Sequence, residues 1–263
     1  MTIWLNGQYL AQNEARIDPA DRGFTLGDGL FETMKAEGGK VLRLAGHLAR
    51  LKAGSEFFGI PLPFAEAEIT AALSGLLERN ALSDAVLRLT LTRGPGPRGL
   101  LPPDQPTPTL LISAAPAAAA HGPVRAVIAT VTRRNEHSPT SRFKTLNYMD
   151  NLLARREAQS KGADDALLLN SQGKLVESTV ANLFLVIDGV VVTPPLSEGA
   201  LPGVMRAAVM DRLGAATASL KTSDLWEASE AILTSATGIR ALVSVDGKAI
   251  GTGEPGAVAG RLS

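Results

Sequence analysis

Ile3 and Leu5 alternate with their neighbours at the start of the chain and lead into Asn6-Gly7, a dipeptide that accepts the positive φ angles of a tight turn. This pattern predicts an opening β-hairpin. A second hairpin is signalled by residues 30–36, the Gly38-Gly39 pair and a return strand over 41–44. Over 45–58 the repeat becomes helical. Leu44, Leu48, Leu51 and Phe58 form a stripe that leaves His47, Arg50 and Lys52 largely to one side, and Gly59 followed by Pro61 ends the helix. Residues 65–79 are helical by composition, and 85–92 alternate as a strand. Strands and helices mixed in this order indicate an α+β lobe.

Residues 113–123 are rich in alanine and punctuated by prolines, so they read as the connection between two lobes. The expected division is a small N-terminal α/β domain over 1–115, a linker over 116–123 and a larger, sheet-rich C-terminal domain over 124–263. That second lobe carries strand signals at 124–132, a helix over about 146–161 and a hairpin over 166–176. Another hairpin turns at Asp188-Gly189, a helix runs from Pro202-Gly203 to about Leu213, and strands follow at 231–234 and 242–245. No fixed-period repeat indicates a solenoid.

Composition narrows the chemistry. A chain of 263 residues can bury a sizeable core. Its 26 basic side chains balance 26 acidic ones, which gives no general attraction to nucleic acid or to an anionic membrane. There are no cysteines, so disulfides, thiolate metal sites and cysteine nucleophiles are excluded together. His47, His121 and His137 do not pair at the spacing of a zinc helix, and no metal is expected. The first residues lack the marks of a secretory signal, and no apolar run approaches the ~20 residues that cross a bilayer. A cytoplasmic protein is expected.

Two segments bear on chemistry. Residues 94–99 fit the glycine spacing of a dinucleotide fingerprint, but that fingerprint must open a helix, whereas Pro95, Pro97, Pro102 and Pro103 make this stretch a loop. Arg93 and Arg98 on it read equally as solvated residues or as guanidinium forks for a substrate carboxylate. The second segment is 143–148, where Lys144 precedes the acidic stretch 177–184. A lysine becomes nucleophilic near neutral pH only where its surroundings disfavour the ammonium. Lys144 therefore gains meaning from the residues that accompany it.

Five ordered segments accompany it, at 21–32, 47–51, 144–148, 177–184 and 201–206, and the ensemble resembles the class IV, fold-type IV pyridoxal phosphate enzymes. That group comprises branched-chain and D-amino-acid aminotransferases and aminodeoxychorismate lyase. The resemblance runs along nearly the whole chain and implies the two-lobe fold, pyridoxal 5'-phosphate as cofactor, and a homodimer. It implies that Lys144 forms the Schiff base and shuttles the proton, that Glu177 pairs with the pyridine nitrogen, and that Arg50 contacts the phosphate. Val204 and Met205 would offer backbone amides at a helix start, an arrangement that suits an anion. Ser235 would supply the family's hydroxyl contact to the phosphate, with Thr234 beside it, and Tyr148 would touch the cofactor's 3-hydroxyl.

Phe31 stands where the D-amino-acid enzymes carry a tyrosine and Leu100 where they carry a histidine, which leaves Arg98 alone of their carboxylate trap. Phe31, Arg93 and Arg98 are the candidate substrate contacts. The resemblance implies an aminotransferase that moves an amino group between an amino acid or primary amine and a 2-oxo acid. The alternative is aminodeoxychorismate lyase, releasing 4-aminobenzoate and pyruvate. A non-catalytic binding module on the same fold is the third reading, and an intact Lys144 weighs against it.

Overall fold

The computed structural model of the chain describes residues 1–118 and 122–262. Its contacts divide it into two compact units, Met1–Ala119 with Phe143–Asn147, and Ala120–Arg142 with Tyr148–Ser263. The segment holding Lys144 therefore belongs by packing to the first unit, although a division of the sequence at 116–123 assigns it to the second.

The first unit contains β1 (Thr2–Leu5), β2 (Gln8–Ala11), α1 (Arg22–Leu26), β3 (Gly29–Glu37) and β4 (Lys40–Val41), then α2 (Leu44–Phe58), α3 (Glu66–Arg79), β5 (Ala85–Thr92) and β6 (Thr109–Pro116). Among the described residues the strands form one antiparallel sheet in the order β2-β1-β6-β5-β3-β4. Leu30, Met34 and Ala36 on one face of β3 join Leu48, Leu51, Leu73, Leu76, Leu87 and Ile112 in a single apolar core beneath α2 and α3. Alternation along the strands and the helical stripe of α2 meet in that layer.

The opening hairpin turns at Asn6 and Gly7 with φ of 46° and 91°, and α2 stops at Gly59 in the left-handed conformation, as their sequences predict. Several boundaries differ. The return strand of the second hairpin is only Lys40–Val41, because Arg43 takes φ 52° as the N-cap of α2 and Leu44 begins the helix, packing against the core. The alanine-rich 113–116 continues β6, paired residue by residue with β5. Residues 119–121 of the predicted linker, with His121, lie outside the described residues. Sequence reading also missed α1 and most of β6.

The second unit contains β7 (Val124–Ile128), α4 (Pro139–Arg142), α5 (Met149–Ser160), β8 (Asp165–Leu169), β9 (Leu175–Ser178), β10 (Asn182–Ile187), β11 (Val190–Thr193) and α6 (Val204–Leu213). It continues with β12 (Ala216–Thr217), α7 (Asp224–Glu227), β13 (Glu230–Ser235), β14 (Gly238–Val245), β15 (Lys248–Ala249) and α8 (Ala257–Leu262). Following the pairings from β10 through β13, β14, β7, β8 and β9 leads back to β10, a closed circuit among the described residues. Glu177 opposite Asn182 is the pair that closes it. Closure removes free strand edges. The predicted strand over 124–132 ends at Ile128, and the helix expected from 146 begins at Met149. Residues 145 and 146 are held away from helical geometry by a bridge from Thr145 to Leu30 and a bond from Leu146 N–H to the Gly29 carbonyl. Among the described residues no helix is long and apolar enough to cross a membrane.

Candidate active site

In the first unit, β3 sorts its side chains to two faces. Glu32 falls on the core face among Leu30, Met34 and Ala36 and is only 1% exposed. A carboxylate there requires partners. Arg50 of α2 supplies a fork, Nε to Oε1 at 2.8 Å and a terminal nitrogen to Oε2 at 2.6 Å, and His47 Nδ1 lies 2.7 Å from Oε2. Burial pushes the Glu32 carboxyl up, but hydrogen bonds and charge from Arg50 and His47 outweigh it and hold the group below its ordinary value. His47, which the helical stripe left aside, is thus buried as a partner of Glu32.

Phe31 points the other way. Its ring lies 4.3 Å from Lys144 Nζ and 3.9 Å from the Arg88 guanidinium, so two cations share one aromatic face system. Its backbone N–H donates to the Lys144 carbonyl at 2.9 Å. Since β4 pairs only with residues 36 and 37, the Lys144 segment takes the other end of that β3 edge. Lys144 is therefore fixed at its backbone by the strand whose side chains hold Arg50 and line its amine.

Arg93 departs from the substrate-contact expectation. Its guanidinium grips Asp28 at 2.8 and 3.1 Å and donates to the carbonyls of Phe58 and Gly59, so it ties the end of α2 to the start of β3. Arg22 also binds Asp28, at 2.8 Å, and donates to the carbonyls of Gly99, Leu100 and Leu101. Burial raises the Asp28 carboxyl, yet the two arginines bring it below its usual range. Both ends of the 93–101 loop are thereby fastened, and Arg98 stands exposed on it.

In the second unit, Glu177, Asn182 and Thr234 sit opposite one another on β9, β10 and β13, a row on one face spanning about two strand spacings, ~10 Å. Glu177 is buried. Its Oε1 meets Arg134 at 2.8 Å, and its Oε2 accepts from Asn182 Nδ2 at 3.1 Å and from Leu201 N–H at 3.0 Å. Two hydrogen bonds and one ion pair engage the carboxylate, which leaves it acceptor capacity for a further donor. At the far end of the row the Thr234 hydroxyl is buried with no partner. Ser235 instead turns its hydroxyl to Thr237 and the Gly238 carbonyl. Nearby in sequence, α6 begins at Val204 behind Gly203, which has no side chain to cap the first amides, so Val204 and Met205 present free donors. Arg206 is buried with Nε unpartnered; burial lowers its guanidinium from the ordinary value, opposed by the charge of Glu177. Tyr148 caps the start of α5 from a half-buried position.

This row suits a flat ligand with a ring N–H at one end and an anion at the other. Chemically, Glu177 can serve as an acceptor for such an N–H, and the orphan hydroxyl and uncapped helix start can serve as donors to an anion. Sequence reading missed Glu32, Arg134 and Asn182 as contributors. An acid on the apolar face of a strand was a usable sign for Glu32; nothing in the local pattern marks Arg134.

A sequence profile described as Amino-transferase class IV matches residues 29–245. A provisionally named branched-chain-amino-acid aminotransferase of Methanocaldococcus jannaschii is 32% identical over 270 residues, covering 100% of this chain and 94% of the relative. A D-alanine aminotransferase of Bacillus licheniformis is 29% identical, covering 97% and 92%. Among solved structures, the T.th. branched-chain amino acid aminotransferase with pyridoxamine 5'-phosphate superposes with a TM-score of 0.92 at 26% identity, covering 99% of this chain and 91% of that one.

Proposed function

The chain belongs to the class IV aminotransferases, and from that premise we propose that it exchanges an amino group between an amino acid or primary amine and a 2-oxo acid with pyridoxal 5'-phosphate held on Lys144. When bound, that cofactor supplies an aldehyde for amines and a ring that takes up the electrons of a cleaved bond. Lys144 Nζ would hold the cofactor's aldehyde carbon and would serve as the base that carries the proton. Glu177 would accept the N–H of the ring nitrogen. Thr234, the first amides of α6 at Val204 and Met205, and Arg50 hold the phosphate, with Ser235 beside them and Tyr148 at the 3-hydroxyl. Phe31 walls the amine and Arg98 meets a substrate carboxylate. The working form is a homodimer, and we assign it to the cytoplasm.

The Glu177–Asn182–Thr234 row carries this reading, because a nearly saturated carboxylate and a buried hydroxyl without a partner stand at the two ends of one face. The pyridoxamine 5'-phosphate of the solved branched-chain relative supports it. Borohydride treatment of protein reconstituted with pyridoxal 5'-phosphate should fix the label on Lys144, and Lys144→Ala should lose both label and turnover. An unlabelled wild type, or wild-type rates in that variant, would overturn the proposal. Pyruvate released from aminodeoxychorismate with no 2-oxo acid present would turn it into the lyase.

A further inference from the structure

We propose that Arg134 is a positioning residue that orients the Glu177 carboxylate with a fixed counter-charge, and thereby governs the capture of the cofactor; this rests on the role given to Glu177 above. Arg134 is anchored independently of that carboxylate. Its backbone N–H donates to the Leu169 carbonyl at 2.8 Å, and it bridges to Asn170 beside the end of β8. Its guanidinium donates to the Gly199 carbonyl at 3.3 Å and to the Ser141 carbonyl at 3.0 Å, and its side chain is 13% exposed. A planar fork held at two carbonyls and at its own backbone has one orientation available. Glu177 Oε1 meets this anchored guanidinium at 2.8 Å, while only Oε2 is held from elsewhere.

The other two donors to Glu177, Asn182 Nδ2 and Leu201 N–H, are neutral amides, and both approach Oε2. They hold one oxygen and supply no charge. Of the three contacts, Arg134 alone brings a full positive charge, placed against Oε1. Arg134 also holds Ser141, three residues before Lys144 in the sequence, so one guanidinium touches the ring acceptor and the backbone that leads to the amine.

The test is titration of apoprotein with pyridoxal 5'-phosphate, reading the dissociation constant beside the melting temperature of the unliganded protein. Arg134→Gln should weaken cofactor binding about tenfold, within the range of coupled neighbours. Arg134→Lys keeps the charge but cannot span two carbonyls; it should melt as low as Arg134→Gln yet bind within about threefold of wild type. In a Glu177→Gln background, Arg134→Gln should leave the dissociation constant unchanged. A role confined to holding Ser141 and Gly199 would instead make Lys and Gln equally poor binders and leave the loss intact without Glu177. Either result, or wild-type affinity in Arg134→Gln, overturns the proposal while the cofactor assignment stands. A wild type that leaves Lys144 unlabelled after borohydride overturns both.

Discussion

Glu32 shows how much one buried carboxylate organises. It lies on the apolar face of β3, and only the paired approach of Arg50 and His47 makes that position tolerable. Glu32→Gln leaves the arginine without its counter-charge, and unfolding in urea at pH 7 should show a loss of about 3 kcal/mol. Because the native pKa is depressed from 4.5, the ion pair contributes fully above that value and is lost as pH falls through the native one. The gap between wild type and variant should therefore close below about pH 4.5; a gap constant with pH would mean the charge is not what is lost. Thr234 behaves in the opposite sense. Its hydroxyl is buried and unpartnered, a cost of ~1 kcal/mol or more that a ligand would relieve. Thr234→Val should raise the melting temperature of the unliganded protein and weaken its hold on pyridoxal 5'-phosphate. If the valine variant binds the cofactor as tightly as wild type, this hydroxyl has no part in the site.

At the scale of elements, the start of α6 is built around the absence of a side chain. A Cβ on Gly203 would overlap Asn182 Oδ1, while Asn182 Nδ2 serves both the Glu177 carboxylate and the Leu201 carbonyl. Gly203→Ala should displace that amide and disturb both ends of the row, lowering cofactor affinity and melting temperature together; a loss of stability alone would separate the helix start from the site. Such relations explain what the sequence could reveal. Elements with a local cause were legible: the Asn6-Gly7 turn, the Gly59 stop, the Asp188-Gly189 turn and the start at Gly203 all depend on neighbouring residues. Features with a distant cause were not. Residues 113–116 look like a linker until β5 is placed beside them, and Thr145 and Leu146 continue a helical pattern but are claimed by the edge of β3. Glu177 was legible through a family pattern, whereas Arg134 reaches it from a segment with no pattern of its own.

For the whole molecule, the loop over 93–101 raises the question of what its apolar residues meet. Leu100 and Leu101 are each 83% exposed, and Phe24, on the helix that supplies Arg22, is 80% exposed. Two adjacent leucines in water would ordinarily fold back onto the nearest apolar surface. Here Arg22 binds the carbonyls of residues 99, 100 and 101 from inside the unit, and Asp28 joins it to Arg93 at the root of the loop, so the backbone is held with its side chains outward. Preorganisation of this kind lowers the ordering cost of association. Were these leucines to meet the second copy in the proposed homodimer, burying each would contribute ~1.5 kcal/mol or more. Because both copies carry the change and four leucines are lost, Leu100→Ser with Leu101→Ser should then raise the dimer dissociation constant on the order of ten-thousandfold, read by sedimentation velocity over a dilution series. Melting of the isolated subunit should hardly change, because neither side chain belongs to an apolar core. A monomeric wild type, or a double variant that dimerises as tightly, would assign this exposed edge to something other than a second copy of the chain.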